Sequence, residues 1–454
     1  MGRMRELRTL AQFICNLQAE DIPQEVAEAA VLRVLDTVSV AVGGAGSDLI
    51  ERVEEELIPL HTNEPTASLW GRNQKSALSS AIFFNAMRGH YLELDDVHTG
   101  SKTHIGTVVI PAAWGLAEKL DRTGAELIVA IICGYETMAR IGLSLGTVSH
   151  RQKGWHVTGT AGTFGAAAAC GKLLGLSEEK MVWALGLAGT QSSGLWAFLQ
   201  DGANCKVLHP ARAALNGCEA ALMAHSGMSG PESILTAKDG GLLAAMSDEY
   251  DVHRLTDGLG QWWATLQMDV KPYPCCRSTH CAIDAALALR STCSVSPDHI
   301  ARILVETYDI GYKQCGMSKG SISPTTAAEA KFSTPYTAAV ALLKGSVSLK
   351  DFQSGAINEP ELRNLMGKIT VVSDKAFSEK YPEHWGCRMT IETLTGEVFQ
   401  KEIIDAAGSI WAPLTRSQQI EKAGTMFSFG GYASADTAIL DLLNLPRLDH
   451  IPVI

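Results

Sequence analysis

Six titratable side chains crowd the stretch ELDDVHTGSKTH at residues 93–104: Glu93, Asp95, Asp96, His98, Lys102 and His104. Its flanks, SSAIFFNAMRGHY and VVIPAAWGLAEKL, are too apolar for an ordinary solvated loop. Further stretches bring cations and titratable groups into small-residue or apolar surroundings. KGWHVTGT carries Lys153 and His156, and NCKVLHPARAALNG carries Lys206, His209 and Arg212 at a spacing that shares one helix face. KPYPCCRSTHCAIDAA carries Lys271, Tyr273, Arg277 and His280, and KFSTPYTAA carries Lys331, Ser333 and Tyr336. Fixed positive groups with histidine and tyrosine among them suit a small di- or tricarboxylate: Lys and Arg clamp its carboxylates, and His or Tyr moves a proton. A proton on carbon beside a carboxylate is weakly acidic, so its removal needs a positioned base and cations that stabilise the developing charge. Bases on opposite faces would invert the carbon, whereas a base plus an acid at the neighbouring carbon would eliminate.

Each residue also has a structural reading. Alone, His209 reads as a structural histidine, Lys331 as a solvated lysine, and His150 and His253 as surface residues. Asp95 or Asp96 could cap a helix, and Tyr336 could be a core tyrosine. Cys275, Cys276, His280 and Cys281 lie close together, but adjacent cysteines rarely share one zinc, and there is no C-x2-C pair or H-E-x-x-H, so no metal site is expected. Nothing in the sequence demands a serine nucleophile. A helical carboxylate-binding scaffold without turnover is the non-enzymatic alternative, but it leaves the recurrent cations unexplained.

The elements that must position these residues are mostly helical. DIPQEVAEAAVLRVLDTVSVAVGG predicts a helix capped by Asp21 with Pro23 in its first turn, and TGAELIVAIICGYETMARIGLSL and SEEKMVWALGLAGTQSSG predict two more. Gly159, Gly162 and Gly165 in TGTAGTFGAAAACGKLLGL are spaced for close helix packing; neither a preceding strand nor a following Lys-Ser/Thr supports a phosphate loop. From about residue 270 the pattern changes: IARILVETYDIGY and KITVVSD have strand composition, and CRMTIETLTGEVFQKEI predicts a hairpin turning at Thr395-Gly396 with alternation on both arms. Helical periodicity returns in TRSQQIEKAGTMF and ASADTAILDLLNLP. The expected architecture is mainly α: a large helical domain built by both termini (1–268 and 403–454), with a smaller α+β lid inserted at 269–402.

The 454 residues, 46% of them hydrophobic and 19% charged, suit a well-buried globular chain of two domains. A net charge of −11 argues against nucleic acid or an anionic membrane as partner, so an acidic substrate must be held by a local cluster of cations. Apolar runs such as AELIVAIICGYETMA are shorter than the roughly 20 residues a bilayer requires. MGRMRELRTLAQF lacks the apolar core of a secretory signal, and eleven cysteines without framework spacing read as reduced thiols, so a cytoplasmic location is expected.

Taken together, these stretches resemble the MmgE/PrpD family, which includes 2-methylcitrate dehydratases, cis-aconitate decarboxylases and iminodisuccinate epimerase. The resemblance rests on ELDDVHTGSKTHIGTVVIPA, GWHVTGTAGTFGAAAACGKLLGL, CKVLHPARAALNGCEAALMA, KPYPCCRSTHCAIDAA and FSTPYTAAVAL. It implies a helical domain with an α+β lid, a homodimer, and a site between the domains that uses neither metal nor organic cofactor. It implies a pocket containing Asp95 or Asp96, His104, His156, Lys206, Lys271, His280 and Tyr336. By their chemistry His104 and His156 are the first candidates for proton transfer, with Asp96 orienting a histidine. Lys206, Lys271 and Arg277 bind carboxylates, and His98 and Asp95 are further candidates at the substrate. Ile105 stands where many relatives have proline. The ELDD spelling looks like the fungal decarboxylases, while the 454-residue length suits the epimerase branch. Epimerisation of an iminodisuccinate-like substrate is the reaction expected first; the alternatives are decarboxylation of cis-aconitate and then dehydration of a 2-methylcitrate-like substrate.

Overall fold

A computed structural model describes residues 5–60, 64–72, 74–292 and 296–454. The opening residues 1–4 and Cys293 lie outside the described residues. Among the described residues the chain is mainly α, with a four-stranded sheet and two short two-stranded pairings. Its larger core is built from α1 (Gln24–Gly44), α2 (Leu78–Tyr91), α3 (Gly106–Lys119), α4 (Gly124–Ser144), α5 (Val157–Leu173) and α6 (Leu208–His225). Several of these helices are apolar nearly all round, as a helix surrounded by others must be. α4 is long and apolar enough at 21 residues to cross a bilayer, longer than the apolar run that marks it in sequence, yet 94% of its most apolar stretch is buried inside the protein.

The three glycines of α5 do serve packing. A Cβ on Gly159 would lie 2.3 Å from the Ser193 carbonyl, one on Gly162 2.9 Å from Ala213, and one on Gly165 2.7 Å from Met138. The start of α1 differs from expectation. Pro23 occupies the N-cap position, while Asp21 ends a preceding 3-10 turn and accepts the Gln18 N–H at 2.9 Å.

The smaller core draws on residues 275–406. Its sheet has the order β2-β1-β3-β4, with β1 (Ile300–Thr307), β2 (Ile369–Ser373), β3 (Cys387–Thr393) and β4 (Val398–Ile403). β1 runs parallel to β2 and antiparallel to β3, and β3–β4 is the hairpin, with Gly396 at φ 86° in its turn. Burial alternates along β3 but not along β4, which is an exposed edge. Helices α7 (His280–Thr292) and α8 (Thr334–Lys344) pack beside this sheet. The larger core draws on residues 7–268 and again on 423–454, so both ends of the chain contribute to it.

Two details of this fold place the acidic loop. Val97–His98 pairs antiparallel with Met268–Asp269, which holds the loop beside the strand that leads into Lys271. From the C-terminal segment, helix Arg416–Phe429 supplies Lys422, whose ammonium donates to the Leu94 carbonyl at 2.8 Å and pairs with Asp36 at 2.6 Å.

Candidate active site

The loop after α2 turns sharply: Glu93 has φ 57°, a left-handed conformation that costs a non-glycine residue about 1–3 kcal/mol. Its carboxylate is buried and forms an ion pair with Lys206 on the short turn Cys205–Val207. Lys271 also reaches it, donating to the Glu93 carbonyl at 3.0 Å and lying 3.4 Å from Oε2. Burial alone would raise Glu93, but Lys206 and Lys271 outweigh it and hold the carboxyl below the ordinary range.

Two residues on, Asp95 is fully buried, and one of its oxygens serves two histidines. His90 Nδ1 lies 2.7 Å and His104 Nδ1 3.1 Å from Asp95 Oδ2. Lys271 stands 3.6 Å from the other oxygen. Burial opposes the charge on Asp95, yet His90, His104 and Lys271 together hold it ionised. His104 is pushed down to about 4 by burial, with Asp95 partly opposing that shift. The expectation that Asp96 orients a histidine is corrected. Its carboxylate turns the other way, accepting from Gly106 N–H at 3.0 Å and from the Tyr135 hydroxyl at 2.8 Å. Only its backbone carbonyl meets His104, at 3.0 Å from Nδ1.

His156 sits at the N-cap of α5, its Nδ1 2.8 Å from His209 Nδ1 on α6. Burial and the neighbouring His209 and Lys206 push His156 well below the ordinary histidine range, so both His104 and His156 are neutral at pH 7 in the free site. The rings of His104, His90, His156 and His209 follow one another with centroids 4.7, 6.3 and 5.1 Å apart.

His104, His156, Lys206, Lys271 and Arg277 all line one cavity of about 70 Å³. Arg277 Nε donates to Asp269 at 2.9 Å, while its buried Nη1 has no hydrogen-bond partner. Glu93 and Lys206 also line a neighbouring, larger cavity of about 370 Å³ that reaches Ser321 and Lys331, so this ion pair stands between the two spaces.

Three expected residues lie apart. Tyr336, in the first turn of α8, donates its hydroxyl to the Asp351 carbonyl and packs on Phe352 inside the smaller core. His280 begins α7, with Nε2 3.3 Å from the Cys275 carbonyl and its ring against Tyr273, behind the cavity wall. His98 turns to the far side of the loop, where Nδ1 contacts Ser101 and the ring meets Trp262. Several solvated or structural assignments also change. Lys331 is buried and donates to the Tyr91 carbonyl at 2.9 Å, His150 is buried against Thr160, and His209 faces His156.

His90, Asp95 and His104 form a group whose ligand atoms lie within 4.8 Å of one another, so they could hold a cation. Asp95 Oδ2 already meets the Nδ1 atoms of both histidines, at 2.7 and 3.1 Å, and the Lys271 ammonium beside Asp95 opposes a second positive charge. The arrangement favours a carboxylate-braced pair of imidazoles. Sequence reasoning missed His90, whose only signal was its closeness to Asp95 at the end of an apolar helix, and gave Glu93 of the acidic stretch no role of its own.

Two domain descriptions match the chain: the MmgE/PrpD N-terminal domain over residues 8–255 and the MmgE/PrpD C-terminal domain over residues 273–442. A cis-aconitate decarboxylase-like protein of Aspergillus oryzae is 28% identical over 463 residues, covering 97% of this chain and 92% of the relative. The cis-aconitate decarboxylase of Aspergillus terreus is 27% identical over 467 residues, covering 97% and 93%. That of Mus musculus is 28% identical over 375 residues, covering 80% of this chain and 74% of its own.

Proposed function

The chain belongs to the MmgE/PrpD family, and from that premise we propose that it is a lyase that removes carbon dioxide from a small unsaturated tricarboxylate such as cis-aconitate. This replaces epimerisation as the leading reading, because the similar curated proteins carry the decarboxylase name. The observation that carries the proposal is His104, braced by Asp95, in a cavity walled by Lys206, Lys271 and Arg277.

The chemistry needs those parts. When the C–CO₂ bond breaks, its electron pair forms a new double bond to the adjacent carbon. The original double-bond pair shifts to the far carbon, where it must take up one proton. The transient charge is shared with the carboxylate on that carbon, and fixed cations stabilise it most where water is excluded. Lys206, Lys271 and Arg277 hold the carboxylate on that carbon. His104 delivers the proton, with Asp95 fixing its ring, and His156 braced by His209 is the second proton carrier.

The test is a proton NMR time course with cis-aconitate in D₂O, using the wild type and His104→Ala. Loss of carbon dioxide with one deuterium entering the product, absent in the variant, supports the lyase. Deuterium exchange with all six carbons retained would restore the epimerase-type reading. No change in either sample refutes both.

A further inference from the structure

Two cations in the cavity have no part in the reaction just described. Lys102 has φ 60°, so a non-glycine residue holds a left-handed conformation there, fixed by its N–H to the His98 carbonyl at 2.7 Å. Its ammonium is buried without a hydrogen-bond partner and lies 4.0 Å from the centre of the Tyr381 ring, on the lid. From the helix Thr147–Gln152, Arg151 stacks its guanidinium 4.4 Å from the Trp196 ring. Neither side chain forms an ion pair with a carboxylate among the described residues, and both line the cavity of His104 and His156. Burial and the neighbouring Arg151 lower the Lys102 ammonium to about 7.

A buried ammonium near a half-buried guanidinium, without a counter-ion, either gives up its proton or is joined by something anionic that keeps it charged. Elsewhere in the same cavity wall the chain supplies its own anions, Glu93 for Lys206 and Lys271 and Asp269 for Arg277. At Lys102 and Arg151 it supplies none. The aromatic faces of Tyr381 and Trp196 position the two cations without neutralising them.

We propose that Lys102 and Arg151 form a separate anion subsite that takes the central carboxylate of the ligand, so that the cavity selects tricarboxylates over dicarboxylates. The inference rests on the reading that this cavity holds a polycarboxylate, but it concerns binding and does not require turnover.

The experiment is isothermal titration of the full chain with tricarballylate and with glutarate, which has the same five-carbon backbone without the central carboxylate. The variants are Lys102→Met, Lys102→Arg and, on a different element, Arg151→Met. Wild type should bind tricarballylate at least tenfold more tightly than glutarate. Lys102→Met and Arg151→Met should each weaken tricarballylate by about 10- to 100-fold, as expected for a lost charge-assisted contact. Glutarate affinity should stay within about twofold, and Lys102→Arg should recover most of the tricarballylate affinity. Equal wild-type affinity for the two ligands overturns the subsite while leaving the cavity reading intact. So does a loss in the variants that is the same for both ligands, or no loss. If the wild type binds neither ligand, the polycarboxylate reading itself fails. Because either cation can be removed alone, misfolding of one variant leaves the other to decide.

Discussion

Adjacent aspartates give the sharpest test of the site, because Asp95 and Asp96 differ in what they touch and not in chemistry. In Asp95→Asn the side-chain oxygen can accept from one imidazole, but the amide must then present N–H to the other imidazole N–H or force a change of tautomer. One charge-assisted bond is lost and a second is opposed; each such bond contributes about 1.5–3 kcal/mol. His104 also loses the carboxylate that opposes the effect of burial on it. A loss of about 3–4 kcal/mol from the transition state corresponds to about 10²- to 10³-fold in kcat. Lys271 keeps Glu93 as a partner, so the fold should survive the change.

Asp96→Asn should behave in the opposite way. Burial, with Asp36 and Asp95 nearby, outweighs Arg33 and the Tyr135 hydroxyl and raises Asp96 to about 7 from 3.8. Between those values the folded chain holds a proton that the unfolded chain has released. The stability from this group is therefore full below about pH 4 and lost as pH rises through about 7. At about 1.4 kcal/mol per pH decade the loss approaches about 4 kcal/mol. Asparagine can still accept from Gly106 N–H and carries no charge to desolvate. The variant should keep kcat within about fivefold and melt at a higher temperature than wild type at pH 8, with the gap closing toward pH 5. The assays are carbon dioxide release from cis-aconitate at saturation and thermal unfolding across pH. If Asp96→Asn lowers kcat as far as Asp95→Asn, or Asp95→Asn stays within fivefold of wild type, the assignment of the bracing role to Asp95 is wrong.

Three further outcomes follow from the same geometry. Glu93→Gln leaves Lys206 and Lys271 without their shared counter-ion and should cost about 3–5 kcal/mol in chemical unfolding; saturating tricarballylate should then stabilise the variant more than the wild type, and an unchanged unfolding midpoint would refute the pairing. Gly106→Ala puts a Cβ 2.3 Å from Thr37 Oγ1 and 2.9 Å from Asp96 Oδ1, so it should destabilise by about 1–3 kcal/mol and also lower activity; a melting temperature equal to wild type would contradict it. In an NMR titration His104 should titrate near 4 in the free protein, as burial dictates, and near neutrality once tricarballylate is bound; equal values in both states would mean that no carboxylate approaches it.

Much of the scaffold was legible because its signals are local. The helices of the apolar first half, the hairpin at Gly396 and the close-packing glycines of α5 follow from periodicity, turn chemistry and small-residue spacing. The stretches that meet at the cavity were legible as motifs, since Lys206, Lys271, His104 and His156 all line it. What a motif could not give was the direction of each side chain. Adjacent Asp95 and Asp96 point to different sides of a loop whose left-handed turn at Glu93 no local pattern announces. Tyr336 is turned inward because the first turn of α8 packs on the smaller core. Lys102 was legible only as one charge in the acidic stretch, because Tyr381, which covers it, is 279 positions away along the chain.

The charges explain why a chain of net −11 can hold a polyanion without keeping its histidines permanently protonated. Lys102, Arg151, Lys206, Lys271 and Arg277 line the cavity, and Glu93 is the carboxylate in its wall. Burial first, then Lys271 beside His104 and His209 and Lys206 beside His156, makes a proton on either imidazole unfavourable, so without an anion the site holds bases. A substrate carboxylate about 4 Å from an imidazolium contributes about 4 kcal/mol at an effective dielectric constant of 20, which corresponds to about three pH decades. That is enough to bring His104 from about 4 to neutrality. Substrate binding therefore creates the proton donor that the shifted double bond needs, and burial together with the neighbouring lysines keeps the histidines unprotonated until it arrives. A dicarboxylate delivers one charge fewer to the same field. It should leave the histidines less protonated as well as bind less tightly, so selection by charge acts on the proton-transfer step and on affinity together.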